Sequence, residues 1–270
     1  MTWSIGIATG ACCDRPICDV LGTLHEAGAS GVELGTPVRH FDLWKASEVE
    51  AVGDRLRGLP LRAISIHAPF GESLDLAHPD PRHRQAGIDA TMASARTLKQ
   101  LGGGIVVAHP SDLVRHGADI AARLEASAAS LRAVSAACRQ EGMTLAIESP
   151  LPHLIGGHPD EFAWLLAHVA DGAGVCLDTG HVALGRSWRR FADLCHGRLV
   201  HVHASDNYGQ YDDHLPPGDG TIDWPEIATT LRSIGFAGWV MLELGCPGGD
   251  TSAYFRAALT RAAAVLTAAS

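Results

Sequence analysis

Short runs of β-branched and other apolar residues alternate along the chain with longer amphipathic stretches rich in alanine and leucine. This alternation is typical of repeated βα units around a parallel sheet. Eight such units can be counted, and the predicted helices include 82–101 and 115–140. The runs at 64–66 and 240–242 are nearly unbroken in apolar residues, which indicates strands covered on both faces. The pattern predicts an α/β protein with a single (β/α)8 TIM barrel as one domain over residues 1–270.

Polar side chains with metal-binding potential close the predicted strands. The first strand ends near Ile7, and the other seven end at Glu33, His67, His109, Glu148, Asp178, His203 and Glu243. In such barrels the active site lies at the C-terminal face, where these side chains would meet. One of them alone can cap a loop through hydrogen bonds. With seven together, the unpaired carboxylates among them would repel one another and be costly to desolvate, whereas divalent cations would stabilise the arrangement.

Local spacing adds further candidate ligands. His181 stands one turn past the end of the sixth strand, where it can reach the same cavity. Asp212 and His214 are two residues apart and face the same way if their loop is extended. We expect only one of His201 and His203 to point into the barrel and choose His203, at the strand end.

Composition excludes several functional classes. The chain has 270 residues, 46% of them hydrophobic, enough for one large core. A formal charge of −9 argues against a generally basic nucleic-acid-binding surface. No apolar run reaches the roughly 18 residues of a membrane span, and 1–11 lacks a basic leader region. We therefore expect a cytoplasmic protein without a membrane partner.

Seven cysteines are scattered along the chain without a CxxC pair. An odd number in this pattern favours reduced, mostly buried thiols over a zinc knuckle or a redox motif. The neighbours Cys12 and Cys13 are interpreted as packing residues rather than metal ligands.

Six motifs carry a resemblance to a known family. They are Ser-Ile-His-Ala-Pro at 65–69, Val-Ala-His-Pro at 107–110, Ile-Glu-Ser at 147–149, Leu-Asp-Thr-Gly-His at 177–181, His-Val-His at 201–203 and Leu-Glu-Leu at 242–244. Across nearly its whole length the chain resembles the xylose isomerase-like TIM barrel superfamily. That group includes sugar phosphate isomerases and epimerases as well as the endonuclease IV repair enzymes of AP endonuclease family 2.

The resemblance implies two sets of metal ligands. The single metal of the epimerases would be held by Glu148, Asp178, His203 and Glu243. The trinuclear zinc site of endonuclease IV would also use His67, His109, His181, Asp212 and His214. Glu148 would then bridge two of the three metals. A set of imidazoles and carboxylates without a thiolate suits zinc or manganese, and one to three ions per chain are expected.

The resemblance also implies two kinds of chemistry. In an isomerase or epimerase the catalytic residues Glu148 and Glu243 would move a proton next to a metal-polarised carbonyl. In a phosphodiesterase acting on abasic DNA, clustered metals would generate hydroxide and neutralise charge. The motifs at 203–207 and 218–224 resemble the sugar isomerase branch. We therefore predict a sugar or sugar-phosphate isomerase or epimerase, and DNA as a partner only under the alternative. A noncatalytic binder would have lost ligands, and none is missing.

Four residues are candidates for substrate contact: His181, Glu33, Phe70 and Arg186. Glu33 is interpreted either as a partner of a sugar hydroxyl or as a hydrogen-bonded plug at the barrel mouth. Phe70 lies where the repair branch has an aromatic residue. Arg186, with two arginines that follow it, either clamps a phosphate or belongs to a solvated helix face. The sequence gives no prediction of the oligomeric state.

Overall fold

Eight parallel strands form a closed barrel in which each strand pairs with the next along the chain and the last pairs with the first. The computed structural model describes residues 3–117, 119–169, 172–246 and 248–267. The strands are β1 (Ser4–Ala8), β2 (Gly31–Leu34), β3 (Arg62–His67), β4 (Ile105–Ala108), β5 (Thr144–Glu148), β6 (Gly174–Asp178), β7 (Leu199–Ala204) and β8 (Trp239–Leu242). The predicted (β/α)8 barrel is confirmed. The predicted domain, 1–270, also includes residues outside the described ones.

Helices follow the strands around the outside of the barrel. They are α1 (Ile17–Ala27), α2 (Ala46–Arg57), α3 (Pro81–Leu101), α4 (Ile120–Gln140), α5 (Pro159–His168), α6 (Thr179–Leu184), α7 (Trp188–Leu194), α8 (Trp224–Ser233) and α9 (Thr251–Thr267). The predicted helix at 115–140 begins five residues later than expected. Its start is fixed by Asp119, whose side chain accepts a hydrogen bond from the Ala122 backbone N–H.

The strands divide their side chains between one large outer apolar cluster and two small inner ones. Leu145 and Ile147 of β5 belong to the large cluster between the strands and the helices. Ala146, which lies between them, packs instead with Val107 and Cys176. Because neighbouring side chains on a strand point to opposite faces, this small cluster lies in the barrel interior, and a second one there contains Met241 of β8.

Strand β7 corrects one expectation. His201 and His203 were expected to face opposite sides, but both side chains are fully buried inside the barrel and both approach the Glu33 carboxylate. Residues two apart on a strand share a face, because the side-chain period is two. The expectation about His201 was therefore wrong.

The first and last strands also bring together two cysteines that were expected to be free thiols. Cys12, after β1, and Cys246, after β8, form a disulfide with a Cα–Cα distance of 5.1 Å and a sequence separation of 234 residues. Barrel closure places the loops after β1 and β8 side by side. The spacing of the cysteines along the chain does not predict this disulfide. The other five cysteines are free, and three of them, Cys138, Cys176 and Cys195, are buried.

The helices were also compared with the dimensions of a bilayer. Within the described residues, none combines the length and the apolar character needed to cross a membrane.

Candidate metal centre

The candidate ligands continue the inward-facing rows of the barrel strands. Four of them lie two residues past an interior apolar side chain: His109 follows Val107, Glu148 follows Ala146, Asp178 follows Cys176 and Glu243 follows Met241. The strand register places Asp178 directly beside His203 of β7. Since residues two apart share a face, all of these side chains converge at the C-terminal mouth.

Glu148 lies at the centre of the ligand cluster. Its Oε2 atom is 3.1 Å from Nε2 of His67 and 3.4 Å from Nε2 of His109. Its Oε1 atom is 3.4 Å from Nδ1 of His203, and Oε2 of Glu243 lies 3.0 Å from that same nitrogen. Glu148 therefore belongs to two ligand groups, in each of which the ligand atoms lie within 4.8 Å of one another. The groups are His67, His109 and Glu148, and Glu148, Asp178, His203 and Glu243.

A third group lies beside the first two and combines α6 with the β7–α8 loop. Oδ2 of Asp212 is 3.3 Å from Nε2 of His181 and 3.0 Å from Nε2 of His214. His214 has a φ of 47°, which is costly for a residue other than glycine. Its carbonyl accepts a hydrogen bond from the Gly245 N–H and its Nδ1 donates to the Glu243 carbonyl, so the β8 loop holds this conformation.

The β7–α8 loop is shaped by one buried carboxylate, Asp206. Its Oδ1 atom accepts from the backbone N–H of Asn207 and of Ile222, and its Oδ2 atom accepts from Gly218 N–H and Trp224 Nε1–H. These bonds join the start and the end of the loop. These hydrogen bonds fix the two ends of the segment that carries Asp212 and His214.

Each of the five histidines uses one ring nitrogen for an outer oxygen. Nδ1 of His67 lies 3.0 Å from the Ala68 carbonyl, and Nδ1 of His109 lies 2.6 Å from Oδ1 of Asp112. Nδ1 of His181 lies 2.9 Å from the Ser149 carbonyl, and Nδ1 of His214 lies 3.1 Å from the Glu243 carbonyl. In His203 the outer atom is Nε2, 3.0 Å from Glu33 Oε1. A carbonyl only accepts, so the facing nitrogen carries the proton and the inward nitrogen is left for a metal.

Several buried atoms in the cluster have no hydrogen-bond partner among the described residues. They are Oδ2 of Asp178, Nδ1 of His203, Oδ1 of Asp212 and Oε2 of Glu243. Buried polar atoms are normally satisfied, and leaving them unpaired is costly. A divalent cation would satisfy them, and the nitrogen and oxygen donor set fits one.

Charge pairing inside the cluster shifts the pKa values of its members. Burial lowers the pKa of His109, but the charge of Glu148 and the Asp112 carboxylate outweigh this and raise it to about 10. Burial likewise lowers the pKa of His214, and its hydrogen bond to Asp212 raises it to about 9. Burial raises the pKa of Asp178 to about 7, against the opposing charge of His181. The metal-free site is therefore an array of protonated histidines and carboxylates, from which a cation would displace protons.

The pattern of the xylose isomerase-like TIM barrel family matches residues 21–265. The chain belongs to the xylose isomerase-like TIM barrel family. Two relatives also match this chain in sequence. The uncharacterized protein y4fM of Sinorhizobium fredii is 26% identical over 250 residues, which are 83% of this chain and 79% of that protein. The uncharacterized protein MJ1311 of Methanocaldococcus jannaschii is 24% identical over 188 residues, and the match spans 67% of this chain and 64% of that protein.

Solved structures share the barrel. A D-tagatose 3-epimerase-like protein superposes with a TM-score of 0.85 at 18% identity, covering 99% of each chain. An AP endonuclease, family 2, from Brucella melitensis superposes with a TM-score of 0.76 at 21% identity, covering 94% of this chain and 96% of that one. At these identities the likeness concerns the fold alone.

Besides His181, which belongs to the third group, two of the substrate-contact candidates lie at or below the ligand cluster of this xylose isomerase-like barrel. Phe70 is 57% exposed, and its ring centroid is 5.0 Å from that of His67 and 4.6 Å from that of His109. It stands at the entrance to the cluster. Glu33 is only 1% exposed and lies below it, with its oxygens directed at Ser65, His201 and His203.

Arg186 is not brought to the ligand cluster. It lines a separate cavity of about 850 Å³ together with Trp188 and the start of the β7–α8 loop. Thr179 and Ala183, four residues apart on one face of α6, line the same cavity, whereas His181 points from α6 toward Asp212. Helix α6 therefore separates Arg186 from the ligands. Within the described residues its guanidinium has no acidic partner, unlike the two arginines that follow it.

Sequence reasoning missed three residues that support the site. Asp112 stands three positions after His109 and binds it, a spacing that could have identified it. Asp206 lies in a motif that was noted, but its role depends on contacts up to 18 residues away. Ser65 of β3 donates to Glu33 on the neighbouring strand β2, a contact that no local pattern indicates.

Proposed function

We propose that the protein is a divalent-metal-dependent isomerase or epimerase of a sugar or a sugar phosphate. One observation carries the proposal, namely that the oxygens of Glu148 and Glu243 approach the same atom, Nδ1 of His203, to 3.4 Å and 3.0 Å. Two carboxylates are thereby gathered around one cation position at the mouth of a barrel. The fold shared with a D-tagatose 3-epimerase-like protein supports this choice.

In this proposal the metal would be held by Glu148, Asp178, His203 and Glu243, and zinc or manganese suits these donors. The bound cation would supply polarisation of a substrate carbonyl. Burial raises the pKa of Glu148, but the charges of His203 and His109 hold it well below its usual range, so this carboxylate is ionised at neutral pH. Against burial, the charge of His203 also lowers the pKa of Glu243.

The two glutamates then act as base and acid at the carbon next to the carbonyl. One ionised carboxylate would take the proton as the C–H bond breaks. For an epimer, the other carboxylate, having first taken a proton from water, would give it to the opposite face of the same carbon, and the first would lose its proton to water. For an isomer, the carboxylate that took the proton would give it to the neighbouring carbonyl carbon, while the hydroxyl proton moves to the former carbonyl oxygen. No net oxidation occurs in either case, so no redox cofactor is needed.

Three of the four candidates for substrate contact are assigned a role. His181 would donate to a substrate hydroxyl when no metal occupies its group, and Phe70 would cover the apolar face of the sugar above His67. Arg186 would bind the phosphate of a phosphorylated substrate long enough to pass α6.

A second function is favoured by one further observation. Five residues outside the four-ligand set, His67, His109, His181, Asp212 and His214, are also held with an inward nitrogen or oxygen directed at the cluster. An isomerase needs only one metal, whereas several clustered metals serve phosphodiester hydrolysis. The alternative is therefore a trinuclear phosphodiesterase that cleaves abasic DNA.

The two functions are separated by metal stoichiometry and two activity assays. Protein purified without added metal or chelator is analysed for its elements, then assayed with small ketoses and their phosphates and with a duplex carrying one abasic site. About one metal with interconversion of ketoses supports the proposal. About three metals with cleavage of the duplex overturns it in favour of the phosphodiesterase.

A further inference from the structure

A buried polar group lies directly beneath the candidate ligands, and the proposed chemistry gives none of its three members a role. It consists of Glu33 at the end of β2, Ser65 of β3 and His201 of β7, all 0–1% exposed. Oε2 of Glu33 accepts hydrogen bonds from Ser65 Oγ at 2.7 Å and from His201 Nε2 at 3.1 Å. Oε1 of Glu33 lies 3.0 Å from Nε2 of His203. Oε2 is thus hydrogen-bonded inside the protein, whereas the contact of Oε1 with His203 is a close approach of ion-pair type, since Nε2 of His203 has no partner in hydrogen-bond geometry among the described residues.

This buried group does not have the character of a further cation site, although Glu33, His201 and His203 do gather their ligand atoms within 4.8 Å. The Oε2 atom already accepts two hydrogen bonds from the protein. The three side chains lie below the ligand layer and are at most 1% exposed. A metal site needs an entry path and free donor atoms. Glu33 therefore has to act on the candidate metal site indirectly, through a neighbouring residue.

That neighbour is His203, which lies between Glu33 and the other members of the four-ligand group. Its Nε2 atom faces Glu33, and its Nδ1 atom faces Glu148 and Glu243 on the other side of the ring. An outer carboxylate beside a metal-bound imidazole fixes the orientation of the ring and makes its free nitrogen a stronger donor. A buried carboxylate is costly to retain, so its place beside a ligand calls for a compensating role.

We propose that Glu33 is the positioning residue for His203, and that Ser65 and His201 in turn hold Glu33. Glu33 turns the His203 ring so that Nδ1 points at the metal position shared with Glu148 and Glu243. This inference rests on the proposed metal centre, but it does not depend on which substrate is converted. Loss of such outer partners typically lowers metal affinity about 10- to 100-fold.

The test is a titration of chelator-treated protein with Zn²⁺ in competition with a chromophoric chelator. A parallel titration with Co²⁺ records the visible absorption bands, which report the ligand geometry. Glu33→Gln keeps the shape of the side chain and removes its charge. We expect zinc affinity at the tightest site to fall about 10- to 100-fold and the Co²⁺ bands to change. Glu50→Gln, on the exposed face of α2, is the matched control and should leave both unchanged.

A second variant covers the case in which Glu33→Gln does not fold. Ser65→Ala removes the 2.7 Å hydrogen bond to Glu33 and the 3.2 Å contact with Nε2 of His201 but keeps the carboxylate, so we expect an affinity loss of about 2- to 10-fold. Wild-type affinity and unchanged Co²⁺ bands in the folded variants overturn the positioning role while leaving the proposed function intact. A wild-type protein that binds no metal overturns both. A wild-type protein that binds metal but converts no sugar overturns the proposed function alone.

Discussion

Oε2 of Glu148 lies 3.1 Å from Nε2 of His67, and both side chains are buried. The other oxygen of this carboxylate faces His203 on the opposite side. One glutamate at the end of β5 therefore connects ligands from β3 and β7, and with them two of the three groups in the cluster. Removing its charge should affect every metal that these groups hold.

Glu148→Gln is expected to lower turnover at least about 100-fold and to reduce the metal content of the purified protein. The variant loses a ligand shared by two groups together with the candidate base. Elemental analysis and steady-state assays measure the two effects. Glu141→Gln, which alters an exposed pair with Lys99, is the control. Retained activity in Glu148→Gln would contradict the assignment of Glu148.

His109→Ala should distinguish the two candidate functions. His109 belongs to the group of His67 and Glu148 and not to the four-ligand group. An isomerase that uses only the four-ligand group should lose about tenfold or less in kcat/KM, whereas a trinuclear hydrolase should lose more than about 100-fold. His83→Ala, at an exposed position on α3, controls for the loss of an imidazole. A loss above 100-fold in ketose conversion would argue against the one-metal mechanism.

Metal binding should release protons and strengthen as the pH rises. His109 and His214 have pKa values of about 10 and about 9 in the metal-free protein, so both are protonated at pH 7. A metal binds the neutral imidazole, and affinity should rise about tenfold per pH unit for each proton released, up to about pH 9. Calorimetry in two buffers with different ionisation enthalpies counts the protons. Equal heats in both buffers would refute this account of the charge state.

The same pKa shifts predict how the stability of the metal-free protein depends on pH. Both folded-state values lie above the ordinary histidine value of 6.5. Their contribution is therefore fully present below about pH 6.5 and is lost as the pH rises through 9 to 10. The free energy of unfolding of chelator-treated protein should fall over this range. His109→Ala should weaken this dependence.

The disulfide between Cys12 and Cys246 is expected to stabilise the closed barrel. It joins positions 234 residues apart, and long loops give large effects, so its loss should lower the free energy of unfolding by about 2–4 kcal/mol. Denaturant unfolding of Cys246→Ser, with the wild type in reductant as a second sample, measures this. Cys13→Ser, next to the bridge, is the control. An unchanged midpoint in Cys246→Ser would show that the bridge adds no stability.

Some features of the site could be predicted from the sequence because they depend on local periodicity. A strand that ends in Glu148 or His67 places that side chain at the barrel mouth in any (β/α)8 protein. His181 could be placed in the same way, one turn past Asp178, whose side chain caps α6 by accepting from the His181 backbone N–H at 2.7 Å. The prediction about His201 failed for a different reason, since the period of two was applied incorrectly.

Other features depend on segments that are distant in the sequence. Arg186 follows the candidate ligand His181 by only five residues, yet it lines a different cavity on the other side of α6. Asp206 organises its loop through partners up to Trp224. Neither arrangement follows from spacing, because both depend on how loops pack against one another above the barrel.

The sequence by itself determined the eight βα units and the residue types that end their strands, because hydrophobic periodicity is a local property. Only the tertiary structure decided which atoms of those residues meet. Barrel closure brought β2 within reach of β7, so that Glu33 faces His203, and brought β1 beside β8, so that Cys12 meets Cys246. Contacts between distant segments are fixed by the packing of the whole barrel, and no local pattern encodes them.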